Sequence, residues 1–131
     1  MTFGQTAFSA FSVSMKSAPG TTFVLCPASA QFSSHRFLPQ FCYIRLRSMT
    51  GSALSTSPTM RVGTNGTHDN ICPAFTPPTS IAVEAIGSMP LTSPLSAPPV
   101  DTSSIVFEIT ASAVGPTTML ADVLLTGILI G

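Results

Sequence analysis

Charge is the scarcest property of this sequence. Five basic residues (Lys16, Arg36, Arg45, Arg47, Arg61) and five acidic ones (Asp69, Glu84, Asp101, Glu108, Asp122) make up 8% of 131 residues and cancel, where about 25% is usual for soluble domains. Binding to nucleic acid depends on Lys and Arg neutralising phosphates, and five scattered cations offset by five acids build no such footprint. Nucleic acid is therefore excluded as a partner. Tryptophan is absent and Tyr43 is the single tyrosine, which counts against the exposed aromatic platform of a sugar site. Cysteine is rare too. Cys26, Cys42 and Cys72 include no CxxC pair, so burial as small hydrophobes is expected, with one disulfide plus a free thiol as the alternative. Long apolar runs are missing. The most apolar stretch, 119–131, has 13 residues and contains Asp122, whereas a spanning helix needs about 20, so no membrane partner is expected. The N-terminus lacks the basic start and unbroken apolar run of a signal peptide, with serines at 9, 12 and 14; synthesis in the cytoplasm without general secretion is expected.

Signatures of chemistry are equally sparse. There is no GxSxG elbow, no GxGxxG and no phosphate-loop GKS or GKT. Paired-carboxylate catalysis needs two converging acids, but the acids here are scattered. Glu108 and Asp122 are expected on the outward faces of neighbouring strands, solvated or paired across the sheet. The stretch His68-Asp69-Asn70-Ile71-Cys72 is the one polar cluster with ligand-type residues. It offers His68 and Cys72 with His35 distant, short of the set a zinc site takes, and reads as a loop after a turn. The expectation is no enzyme, no catalytic residue, no cofactor, no metal and no small-molecule substrate.

What the sequence does contain is proline and period-2 patterning. Twelve prolines leave little room for a long helix. Phe11, Val13 and Met15 alternate with Ser12, Ser14 and Lys16, as a half-buried strand requires. Residues 21–26 (TTFVLC) form a strand between Pro19-Gly20 and Pro27. In 41–48, Cys42, Ile44 and Leu46 point one way while Tyr43, Arg45 and Arg47 point to water or a partner. Residues 59–62 end in Gly63-Thr64-Asn65-Gly66, and Asn-Gly marks a turn; Asn65-Gly66-Thr67 also fits the glycosylation triplet, but a turn is the simpler reading. Residues 81–86 form another strand, ended by Gly87. The proline-rich 88–104 reads as a long surface loop or extended arm. Residues 105–110 and 119–126 alternate as two long antiparallel strands joined by a loop near 112–118, with Gly127 marking a bulge or close backbone approach. The fold expected is all-β: a jelly-roll-like β-sandwich of about eight strands with an extended N-terminal segment. Residues 1–18 are expected as an N-terminal strand or arm and 19–131 as a single β-sandwich domain.

A chain that keeps neither charge density nor net charge away from zero is suited to life inside an assembly. Nine phenylalanines are present, and several flank prolines and possible arms. Phe3, Phe8 and Phe11 in the N-terminal segment, with Tyr43, Arg45 and Arg47 on one strand face, are the candidate interaction residues. Apolar anchors on an extended segment dock on neighbouring subunits; the alternative is that this segment folds back on its own sandwich.

From Arg61 onward the sequence resembles small jelly-roll proteins of tailed phages. The resemblance rests on Arg61-Val62-Gly63-Thr64-Asn65, Asp69-Asn70-Ile71-Cys72-Pro73, the proline-rich loop, Ile105-Val106-Phe107-Glu108-Ile109-Thr110, and the ending Ala121-Asp122-Val123-Leu124-Leu125-Thr126-Gly127-Ile128-Leu129-Ile130. It covers about half the chain and is similar to virion decoration, or cement, proteins of bacteriophages. It implies a structural protein on the outer capsid surface, a homo-oligomer (a homotrimer) and the major capsid protein as partner. A receptor-binding head or fibre tip of a phage tail is the second reading, and residues 1–40 match neither.

Overall fold

A computed structural model of the chain describes residues 3–131, with Phe3 described by its backbone alone. Among the described residues eight strands make up the fold: β1 (Phe3–Ser14), β2 (Thr21–Cys26), β3 (Arg36–Thr56), β4 (Thr59–Thr64), β5 (Thr67–Phe75), β6 (Ile86–Met89), β7 (Ile105–Ala111) and β8 (Val114–Ile130), with one helical turn at Ala30–Phe32. They form two four-stranded sheets, in the orders β1-β8-β3-β6 and β2-β7-β4-β5. Every pairing is antiparallel. First strand pairs with eighth, second with seventh, third with sixth and fourth with fifth, as in one long hairpin rolled up into a sandwich. That is the jelly-roll arrangement.

The sandwich forms because period-2 alternation gives each strand one apolar face. Cys42, Ile44 and Leu46 of β3 and Met119, Ala121, Val123 and Leu125 of β8 fill the interior from one sheet. Met60, Val62, Ile71, Cys72, Phe107 and Ile109 fill it from the other. Burying one such large side chain contributes about 1.5–3 kcal/mol. Prolines sit mostly in connections. The three inside strands are at the positions a sheet tolerates: Pro39 beside a register shift of β3 against β8, Pro116 opposite Gly51 at another, and Pro73 on the edge strand β5. Gly127 has the expected close backbone approach, since a Cβ there would stand 2.6 Å from Cζ of Phe37.

Several expectations need correction. The strand read at 81–86 lies later, as β6, and Gly87 is inside it, paired with Ile44; a four-residue edge strand carries too little alternation to be located. The stretch 68–72 is not a loop. It belongs to β5, which follows the Asn65-Gly66 turn directly, with Thr64 opposite Thr67. Asn70 clamps that hairpin, its Oδ1 accepting from Thr64 N–H and its Nδ2 donating to Thr64 Oγ1, both at 2.9 Å. The two C-terminal strands are not partners. β7 pairs with β2 and β4, and β8 pairs with β1 and β3 in the other sheet. Only Ser112 and Ala113 link them, so the chain crosses between sheets without pausing at Gly115-Pro116. Of the loop or arm expected at 88–104, the structure has the loop, running over 90–104 and packed on the sandwich: Phe37 N–H donates to Pro98 O at 3.0 Å, Val100 N–H to His35 O at 3.2 Å, and Val100 is fully buried.

Candidate docking face

The N-terminal segment, expected as strand or arm, runs as β1 along the edge of the first sheet, paired with β8 from Phe3–Ile130 to Ser14–Leu120. Between Ala10 and Val13 the register slips, β1 spending one residue more than β8. Ser12 takes φ +53° there, a left-handed conformation that costs a non-glycine residue about 1–2 kcal/mol. The bulge decides where Phe11 goes. Counting back from buried Val13 places Phe11 inside; counting forward from Ala10 places it outside, and it is 69% exposed.

Asp122 of β8 holds this bulge. It is 8% exposed and lies directly opposite Arg45 of β3. Its Oδ1 accepts the Ser12 N–H at 2.9 Å, and its Oδ2 accepts from Arg45 Nη2 at 3.1 Å and Arg47 Nη1 at 3.0 Å. Arg45 also reaches exposed Glu84 at 3.5 Å. Burial pushes the Asp122 carboxyl up, but the Ser12 N–H and the two guanidinium groups outweigh it and hold the group below the ordinary carboxylate value. Around this polar centre lies an apolar surface. Phe11, Tyr43, Ile86 and Leu124 line a depression of about 470 Å3, and Phe41 stacks on Tyr43 with centroids 5.8 Å apart. Among the described residues eight large hydrophobics are exposed. Four of them (Phe11, Phe41, Ile86, Leu124) share this one face, and contiguous exposed apolar surface with a polar setting is characteristic of docking sites.

The second sheet repeats the electrostatic motif without the apolar surround. Glu108 of β7 faces Arg61 of β4, accepting from Arg61 Nε at 2.5 Å and from His68 Nδ1 at 3.0 Å. Burial raises its carboxyl, and the hydrogen bonds from Arg61 and His68 bring it below the usual value. Glu108 and Asp122 are thus cross-strand ion pairs on outward faces, as the sequence suggested, but on different sheets. Each acid already accepts from two side-chain donors, which leaves it poorly placed to serve as a general acid or base.

The sequence-predicted residues divide. Phe11, Tyr43, Arg45 and Arg47 share the face. Both arginines, however, are tied to Asp122 and are not free cations. Phe8 points inward and packs edge-on against Phe37 at 5.1 Å, partly buried against the core. The side chain of Phe3 lies outside the described residues. Sequence reasoning missed Phe41, Leu124 and Ile86 as members. Phe41 and Leu124 have the parity of Tyr43 and Asp122 and were readable; Ile86 was hidden by the misplaced strand. The three cysteines are free and buried, which sets the disulfide alternative aside.

No protein-family model matches the chain, and no curated protein matches it. Among solved structures it is similar to a chain of "Cyanophage Pam1 capsid asymmetric unit" at 12% sequence identity and a TM-score of 0.56, covering 96% of this chain and 84% of that one. At that identity the likeness is one of fold.

Proposed function

We propose that this chain is a structural protein of a phage virion, a decoration or cement protein that binds the outer capsid surface and stabilises the shell by subunit packing. The major capsid protein is its partner, and the protein associates with its own copies, as a trimer in the form the sequence resemblance implies. It is made in the host cytoplasm. The observation that carries this reading is the fold likeness to a chain of a phage capsid over nearly the whole length of this one. The apolar face built on Phe11, Phe41, Ile86 and Leu124 supports it, because it supplies surface to bury where charge is almost lacking. A protein that binds the assembled shell and not its separated subunits stabilises the shell by mass action. Apolar burial at the contact contributes roughly 25 cal/mol per Å2 before the costs of association.

The test is co-sedimentation with capsids of the parent phage that lack this protein, followed by thermal disruption of bare and loaded shells. Saturable binding with a raised disruption temperature is the expected result. A protein that ignores capsids but adsorbs to host cells or their glycans would replace this reading with the receptor-binding one.

A further inference from the structure

The two sheets have four edge strands: β1 and β6 in one, β2 and β5 in the other. An open edge presents unpaired N–H and C=O groups that template another strand, and proteins blunt it with short strands, charge, proline, bulges or a covering segment. Three edges are blunted. β6 has four residues and runs into Pro90. β2 has six, lies between Pro19 and Pro27, and shifts register between Val24 and Cys26. β5 carries Asp69 and Pro73, and the chain after β6 covers it: Thr92 N–H donates to Ile71 O at 2.8 Å and Thr92 Oγ1 to Asp69 O at 2.6 Å.

β1 has none of these devices over most of its length. From Phe3 to Ala10 it runs in unbroken register with β8, without a bulge, a proline or a charged residue. Among the described residues, Gly4–Ala10 make no backbone hydrogen bond on the side away from β8.

We propose that the free edge of β1 pairs antiparallel with β1 of a second copy of this chain, joining two four-stranded sheets into one of eight strands. The occupant follows from the edge itself. A strand with no charge meets its own copy about a two-fold axis without repulsion, whereas like charges placed opposite each other would destabilise the pair. With Ala7 on the axis, Gln5 lies opposite Ser9 of the second copy and Ala7 opposite its counterpart on the outer face, all small or polar. On the inner face Thr6 lies opposite Phe8 of the second copy, which extends the cover over a ring that is only partly buried in the single chain. The inference rests on the reading of the chain as an assembly subunit. It specifies a two-fold contact along a sheet edge, which differs in symmetry from the contacts that close a trimer.

The test uses the free protein, without capsids, so its outcome is independent of capsid binding. Ala7 is exposed on the outer face, so its variants leave the fold intact, as an unchanged unfolding temperature checks. Ala7→Cys under mild oxidation should give a covalent dimer on a non-reducing denaturing gel, since paired antiparallel strands hold Cα atoms about 4.5–5.5 Å apart, within disulfide reach. The parent chain, its three cysteines buried, should give none. Ala7→Lys and Ala7→Glu should each weaken the pairing, raising its dissociation constant on the order of tenfold by light scattering, and a mixture of the two should restore it. Absence of the Ala7→Cys dimer, or a mass unchanged by both charged variants, would overturn the proposal.

Discussion

Gly127 shows how much one missing methyl group can matter. It sits on β8 where Phe37 and the Leu38 carbonyl crowd the backbone, and a Cβ would have to displace the ring of Phe37. Gly127→Ala should destabilise the fold by about 1–3 kcal/mol through overpacking, read as a lower urea midpoint with an unchanged slope. Asp122 acts on charge and on backbone together, because the carboxylate that pairs with Arg45 and Arg47 also fixes the strained Ser12 that turns Phe11 outward. Its folded pKa is lowered, so its contribution is present in full above the unfolded-state value and is lost as pH falls through the folded one. The loss should therefore set in below the ordinary carboxylate value of about 3.9 and should flatten in Asp122→Asn. At neutral pH that substitution should cost about 1.5–2 kcal/mol, in the lower part of the range for hydrogen bonds to charged groups, because both arginines are partly exposed to solvent and screened. Unfolding followed from pH 7 down to about pH 2 checks both outcomes.

At the scale of elements, the inner faces of β2, β3 and β5 each bury one cysteine. Burial raises the Cys26 thiol. A hydrogen bond with Cys72 and burial push the Cys42 thiol far up, and Cys42 Sγ also contacts Met89 Sδ at 3.8 Å. Thiolate is the reactive form, so a thiol reagent such as DTNB should label none of the three in the native protein and all three on unfolding. Rapid labelling of any of them in native buffer would contradict this packing. The alternation in 41–48 and 119–126 located the central strands β3 and β8, because a strand with one buried face must carry period-2 patterning. The cluster 68–72 read as a loop because His68 and Asn70 are polar, yet each is satisfied by an outward partner, Glu108 or Thr64, that no local pattern reveals.

At the scale of the molecule, the two sheet faces differ in what they offer a partner. Glu108 with Arg61 and His68 occupies one, and the only large hydrophobic exposed on its strands, among the described residues, is Val24. The other sets its ion pairs among Phe11, Phe41, Ile86 and Leu124. If the second face docks on the shell, Phe11→Ser combined with Ile86→Ser should abolish co-sedimentation with capsids while leaving the unfolding midpoint nearly unchanged, because both side chains are more than two-thirds exposed. Val24→Ser on the opposite face should leave binding intact. Equal binding by all three proteins would move the capsid contact elsewhere on the surface.

The sequence by itself determined the all-β class, the sandwich, the inward and outward faces of the central strands and the tight turn at Asn65-Gly66. These follow from side-chain period and backbone freedom, which are local properties. Only the tertiary structure decided that β7 and β8 belong to different sheets, that Phe8 faces the core while Phe11 faces out, and that Asp122 gathers two arginines and the Ser12 amide. Each of these depends on groups far apart in the chain. Asp122 lies 110 residues from the Ser12 N–H it holds, and the one-residue slip that turns Phe11 outward exists only where β1 meets β8.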